Sequence, residues 1–199
     1  MSLLQQLVVR VRRLGARWFP PPREVRRPRA LTGLPEWAEA GKKRRAHVKR
    51  VARLLEQWAV EMRPSQQERN RWLRACWLHD ALRDAQLPLG ASHGGAAADR
   101  AEQLGETDRG VLDAVRYHSV GYAGWDDVGK MLYLADFLEP GRRSRRKQRA
   151  RWAKQVPHDR DRVLREIVST QMRSRLRAHR LIDPHTAAFW NALVERDSG

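Results

Sequence analysis

From Pro35 onward, apolar residues recur three and four positions apart, and no stretch alternates with a period of two over six residues. That spacing lines one face of each helix with apolar side chains and points to an all-α fold. Val48, Val51, Ala52, Leu55 and Ala59 form one such stripe. Ser65-Gln66-Gln67-Glu68 has the form of a capping box, in which each side chain satisfies the other's free backbone donor. The helix it opens carries Trp72, Ala75, Cys76 and His79 on one face. Ala96, Ala97, Ala101 and Leu104 predict another helix ending near Gly105. Thr107 is placed to cap the next, which carries Val111, Leu112, Val115 and His118. Asp126 or Asp127 can cap a helix running to Leu138, stopped by Pro140-Gly141. After an Arg-rich stretch, Val163, Leu164, Ile167, Val168, Met172 and Leu176 mark a long amphipathic helix. Asp183-Pro184 opens the last, an N-cap followed by proline at the first helical position.

The chain of 199 residues is long enough for one hydrophobic core, and a hydrophobic fraction of 41% excludes wholesale disorder. The single cysteine, Cys76, excludes an internal disulfide framework and a Cys-rich zinc module. No apolar run approaches the roughly 18 residues that span a bilayer. Arg10, Arg12 and Arg13 interrupt the N-terminal segment before the apolar region of a secretory signal can form. A soluble, cytoplasmic protein is expected. Residues 1–35 read as a basic amphipathic helix followed by a Pro- and Arg-rich linker, and residues 36–199 as the folded domain. The N-terminal helix could dock on that domain, lie on a membrane surface or bind an acidic partner.

Charge is unevenly placed. The formal net charge is +17, and residues 1–50 hold 14 Lys and Arg against 3 acids, while residues 142–180 hold 15 against 3. Two basic flanks therefore bracket a mildly acidic centre. A polyphosphate, a nucleotide or RNA suits this distribution, and so do solvated arginine-rich faces that bind nothing.

Four of the seven histidines, His47, His79, His93 and His118, fall in or at the ends of predicted helices beside small or apolar residues. Taken singly, each is more often a packed or surface histidine than a ligand. His79 differs because Asp80 follows it, and an imidazole next to a carboxylate can serve one metal cluster, the carboxylate bridging two ions. Asp136 lies in the otherwise apolar run Tyr133–Leu138, where an unpaired carboxylate is costly to desolvate. A metal, or an arginine, would remove that cost.

The ordered set His47 … His79-Asp80 … His93 … His118 … Asp136 resembles the HD-domain metal-dependent phosphohydrolases. More narrowly, Arg44-Arg45-Ala46-His47, Trp77-Leu78-His79-Asp80, Ser92-His93-Gly94, Ala114–Ser119 and above all Ala135-Asp136-Phe137-Leu138-Glu139-Pro140-Gly141-Arg142 resemble the YqeK-type branch, the bacterial symmetrical diadenosine tetraphosphate hydrolases. The resemblance covers roughly residues 40–195. The chain departs from the branch at Arg83, where a lysine is usual, at Ser119-Val120, where a threonine pair is common, and in a shorter segment between Asp80 and His93.

The resemblance implies an HD-domain helical bundle in which His47, His79, Asp80 and Asp136 surround one divalent metal. Asp80 would bridge to a second ion completed by His93 and His118. Iron is expected, with manganese able to substitute. It further implies Asp80 and Arg83 as catalytic residues, and Arg44, Arg83 and Arg142 as substrate-binding residues. The implied reaction is attack of metal-activated water on an inner phosphate of diadenosine tetraphosphate, releasing two ADP. Cys76 is read as packing rather than chemistry. Another nucleotide substrate would use the same cluster, and a homodimer is compatible with it. A different class of reading is an RNA- or ribosome-associated protein with a vestigial site, its basic flanks meeting RNA. In either reading, most of the run Arg142-Arg143-Ser144-Arg145-Arg146-Lys147 is solvated or meets RNA.

Overall fold

The computed structural model describes residues 32–195, which form seven helices and no strands among the described residues. They are α1 Lys42–Met62, α2 Gln66–His79, α3 His93–Gln103, α4 Arg109–Tyr117, α5 Asp127–Leu138, α6 Arg146–Arg177 and α7 Pro184–Glu195. The predicted N-terminal helix and most of the linker lie outside the described residues. No described helix is long and apolar enough to cross a membrane.

Helix α5 is buried along nearly its whole length, because its sequence is apolar on every face apart from a few polar groups. It packs against α1, α2, α4 and α6, while α3 rests on α2 and α4, and α7 on α6. Val48, Val51, Leu55 and Trp58 of α1 meet Trp72, Ala75 and Cys76 of α2 and Met131, Leu132 and Leu134 of α5 in one core. Val163, Leu164, Ile167 and Val168 close it from α6. Phe189 of α7 reaches Trp125 and Tyr133, with ring centroids 5.1 and 5.8 Å away.

The helix starts were partly legible. Ser65 accepts from the Glu68 amide at 3.1 Å, as a capping box requires. The reciprocal half is missing, since the Glu68 carboxylate accepts from the Trp72 indole at 3.0 Å and from Arg71 at 2.8 Å. The cap of α4 is Asp108, not Thr107: the Asp108 carboxylate accepts from the Val111 amide at 3.2 Å. Asp126 rather than Asp127 caps α5, accepting from Val128. Arg71 ties these two caps together, donating to Asp108 at 2.7 Å and to Asp126 at 2.6 Å. One cation thus fixes the starts of the helices that carry His118 and Asp136. Asp183 accepts from the His185 amide at 2.8 Å at the start of α7.

The basic segment after Pro140 does not remain outside the helices. Helix α6 begins at Arg146 and continues through Pro157, with a kink at Asp159. Proline has no N–H for the carbonyl four residues back; that carbonyl, on Ala153, accepts instead from the Trp58 indole at 2.9 Å. The apolar stripe ends earlier than its spacing predicts, with Met172 half-buried and Leu176 61% exposed, and Leu104 at the end of α3 is also exposed.

Candidate metal centre

Each residue of the predicted cluster arrives from a different helix or a helix end. His47 sits in the second turn of α1, and His79 is the last residue of α2, with Asp80 as its cap. His93 opens α3, His118 caps the C-terminus of α4, and Asp136 lies in the last turn of α5. The structure brings all six together. One group consists of His47, His79 and Asp136 and the other of Asp80, His93 and His118, with the candidate ligand atoms of each lying within 4.8 Å of one another.

Asp80 joins the two groups. Its Oδ2 lies 3.5 Å from His47 Nε2 and 3.4 Å from His79 Nε2, whereas Oδ1 lies 3.3 Å from His93 Nε2 and 3.7 Å from His118 Nε2. Asp136 Oδ1 is 3.0 Å from His47 Nε2. His93 and His118 bring their Nε2 atoms within 3.0 Å of each other. Gly94 permits this approach: a Cβ there would lie 2.6 Å from the Val115 carbonyl oxygen and 3.0 Å from His118 Nδ1.

Three imidazoles are oriented from behind. His79 Nδ1 donates to the Cys76 carbonyl and His118 Nδ1 to the Val115 carbonyl, both at 2.7 Å. His47 Nδ1 donates to Glu139 Oε1 at 3.2 Å. Donating through Nδ1 leaves the Nε2 lone pair directed inward, the tautomer a metal ligand needs. The Nε2 atoms of His47 and His79 are buried and have no hydrogen-bond partner. Orphaned lone pairs facing two carboxylates fit a cation and fit little else.

The electrostatics agree with that fit. Burial alone would raise the Asp80 carboxyl, but His79, His93 and His118 outweigh it and hold it far below the ordinary range. Asp136 is likewise held low against its burial by His47 and Arg142. Burial, helped by the neighbouring His79, pushes His118 down to about 4, which keeps its imidazole neutral. His47 goes the other way: burial would lower it, but the neighbouring carboxylates Asp136 and Glu139 outweigh that and raise its pKa above the ordinary value.

The predicted arginines all reach the cluster. Arg44 donates to Asp80 Oδ2 at 2.6 Å. Arg142 donates to the Asp136 carboxylate and, at 2.9 Å, to its main-chain carbonyl. Asp136 therefore stands in the cluster, half-buried and paired with arginine, so the two readings its sequence allowed do not exclude each other. Arg83 Nη1 stands 3.0 Å from His93 Nδ1. Arg44, Arg83 and Arg142 share a cavity of about 310 Å³ with Asp80, His118 and Asp136. Beside it, Lys42, Lys43, Arg44 and Arg142 border an open groove of about 550 Å³ at the start of α1. A helix N-terminus carrying cations opposes its own dipole, and such charge suits an anionic ligand.

Sequence reasoning missed three residues. Glu139 is buried and accepts from His47, from Arg50 Nε at 2.5 Å and from the Gly141 amide at 2.7 Å. These contacts hold its carboxyl down to about 2 against the effect of burial. Its place just before the helix-ending Pro140 in the quoted signature was the available signal. Arg50, its partner, stood one helical turn after His47. Arg149, two positions beyond the Arg142–Lys147 run, is buried, its guanidinium 3.9 Å from the Phe137 ring centroid, and it donates to the carbonyls of Phe137 and Ser144. Arg143, Arg145, Arg146 and Lys147 are exposed, as expected. Cys76 is buried against the Val48 carbonyl, and burial raises its thiol well above the ordinary value, consistent with packing.

Comparison with known proteins agrees with this geometry. The HD domain family matches residues 44–167. The symmetrical bis(5'-nucleosyl)-tetraphosphatase of Bacillus subtilis (strain 168) is 42% identical over 40 residues, which are 20% of this chain and 22% of that relative. The match thus spans about a fifth of the relative's length. The crystal structure of a predicted HD superfamily hydrolase involved in NAD metabolism from Clostridium acetobutylicum has the same fold, with a TM-score of 0.66 and 21% identity over 78% of this chain and 91% of that one. The family match runs from Arg44 to Ile167 and encloses all six clustered groups; this chain belongs to the HD-domain family and is an HD-domain hydrolase.

Proposed function

We propose that this hydrolase cleaves dinucleoside polyphosphates symmetrically, converting diadenosine tetraphosphate and water into two ADP. The observation that carries the reading is Asp80, whose two oxygens face two separate sets of imidazoles. That geometry suits a carboxylate bridging two divalent ions, with His47, His79 and Asp136 completing one site and His93 and His118 the other. The signature from Ala135 to Arg142 and the short likeness to the Bacillus subtilis enzyme support the substrate. Iron or manganese bound there would supply Lewis acidity toward phosphoryl oxygens and lower the pKa of a water molecule.

The chain's own residues do the rest. Arg44 and Arg142 pair with the two carboxylates of the cluster. Both guanidinium forks would be available to phosphate oxygens if those carboxylates held divalent ions. Arg83, beside His93, holds charge that develops on the transferred phosphoryl group. Lys42 and Lys43 extend the positive surface along the groove, where the rest of a long polyphosphate would lie. Glu139 is a positioning residue, acting through His47.

Product analysis tests this directly. Purified protein supplied with manganese or iron and diadenosine tetraphosphate should yield ADP alone, and AMP plus ATP would refute symmetrical cleavage. A second reading, an HD hydrolase of another nucleotide, draws on Arg83 and Ser119, which depart from the branch and line the substrate cavity. A nucleotide panel in which another substrate turns over faster would favour it.

A further inference from the structure

Behind the metal centre, α1, α6 and the end of α5 enclose a second cavity of about 480 Å³, a size that accepts a small organic ligand. Leu54, Leu138, Pro140 and Ala153 give it an apolar floor, and Arg50, Arg53, Arg142, Arg146 and Arg149 stand around it. Its one carboxylate, Glu139, is already engaged by His47 and Arg50. Arg149 is held by main-chain carbonyls and an aromatic ring, and so is not neutralised. Among the described residues, no carboxylate pairs with Arg53 or Arg146. Guanidinium groups gathered in this way repel one another, and an anion relieves the repulsion. The same burial and the neighbouring Arg142 and Arg145 lower the Arg149 pKa.

We infer that this cavity is a second ligand site, which takes a nucleotide with its phosphates on Arg50, Arg53 and Arg146 and its base on the apolar floor. Guanidinium forks match phosphate oxygens in pairs. Inorganic phosphate would leave the floor unused. The site also touches the metal centre, because Arg50 holds Glu139 and Arg142 holds Asp136. An occupant that draws Arg50 toward its phosphates loosens the Glu139 support of His47, so binding here should slow hydrolysis. This last link rests on the function proposed above; the binding itself does not.

The test is calorimetric titration of the full-length, manganese-loaded protein with ADP, repeated on Arg53→Glu, Arg146→Glu and the cavity-filling Ala150→Trp. None of these positions belongs to the metal centre or its substrate cavity. Two classes of site are expected in the parent protein, with one weakened about tenfold or more in all three variants. Should the metal centre bind no nucleotide, a single class remains, and it is the one these variants remove; failure of the functional proposal is thereby separated from failure of this one. ADP binding that all three variants leave unchanged overturns the inference. So does binding lost in the arginine variants but intact in Ala150→Trp, which would mean diffuse charge. Inorganic triphosphate binding as tightly as ADP at this site would overturn the assignment of a nucleotide.

Discussion

Replacing Glu139 probes how far the metal centre depends on a group that touches no metal. Its carboxylate accepts four hydrogen bonds, one from His47, two from Arg50 and one from the Gly141 amide, while being only 2% exposed. Hydrogen bonds to a charged group contribute about 1.5–3 kcal/mol each. Deleting the carboxylate also removes its own desolvation cost, and the Arg50 side chain, 32% exposed, can rehydrate. The net loss for Glu139→Ala is therefore about 2–4 kcal/mol, measured by denaturant unfolding of the metal-free protein. Glu139→Gln keeps the volume and an acceptor for His47 but loses the charge that raises the basicity of that imidazole. Its stability should fall less, while its affinity for manganese drops about 10–100-fold, as is usual when support behind a ligand is removed. Calorimetric metal titration reads this directly. A Gln variant binding manganese within about twofold of the parent would refute the argument that Glu139 sets the state of His47.

Asp80→Ala should lose bound metal and hydrolysis together, and a fully metallated, active variant by elemental analysis would refute the bridging role. Chelation should abolish hydrolysis but leave the helical circular dichroism intact, because the histidines are oriented by the protein's own carbonyls and by Glu139. Leu164→Ala, at a fully buried position, should cost about 2–5 kcal/mol in denaturant unfolding. Away from the site, Arg71 holds the Asp108 carboxyl below its ordinary value against its burial. A folded-state pKa below the unfolded one stabilises fully above the unfolded value of about 3.9 and is lost as pH falls through the lower, folded value. The stability gap between the parent and Asp108→Asn should therefore be constant above about pH 5 and shrink on acidification; a gap that widens there would contradict the pairing.

The helices and the His79-Asp80 doublet were legible because both depend on local regularities, whereas His47, His93, His118 and Asp136 joined that doublet only through the resemblance to the HD-domain hydrolases. Apolar spacing marks a helix wherever it lies, and a histidine beside an aspartate stands out without knowledge of its neighbours. What escaped depends on which direction a chain takes once a helix ends. Thr107 and Asp108 are adjacent and either can cap, and only Arg71, arriving from α2, selects Asp108. Glu139 follows the last turn of α5, and Gly141 and Pro140 bend the chain so that its carboxylate turns back to His47, a contact across 92 positions that no spacing rule shows. Arg149 looked like its exposed neighbours, since composition cannot mark which arginine of a basic run will fold under an aromatic ring. The periodicity of α6 outran its burial at Leu176, beyond the part of the helix that meets the core.

The absence of a side chain at Gly94 has a consequence for how ions enter and leave. Because α3 meets the end of α4 almost backbone to backbone, the spacing of two imidazoles is decided when the chain folds, before any ion arrives. A cation bound there would meet a claw already set, with little ordering left to do. Exchange of one transition ion for another of similar radius should then be limited by how fast the old one departs, not by any rearrangement of the helices.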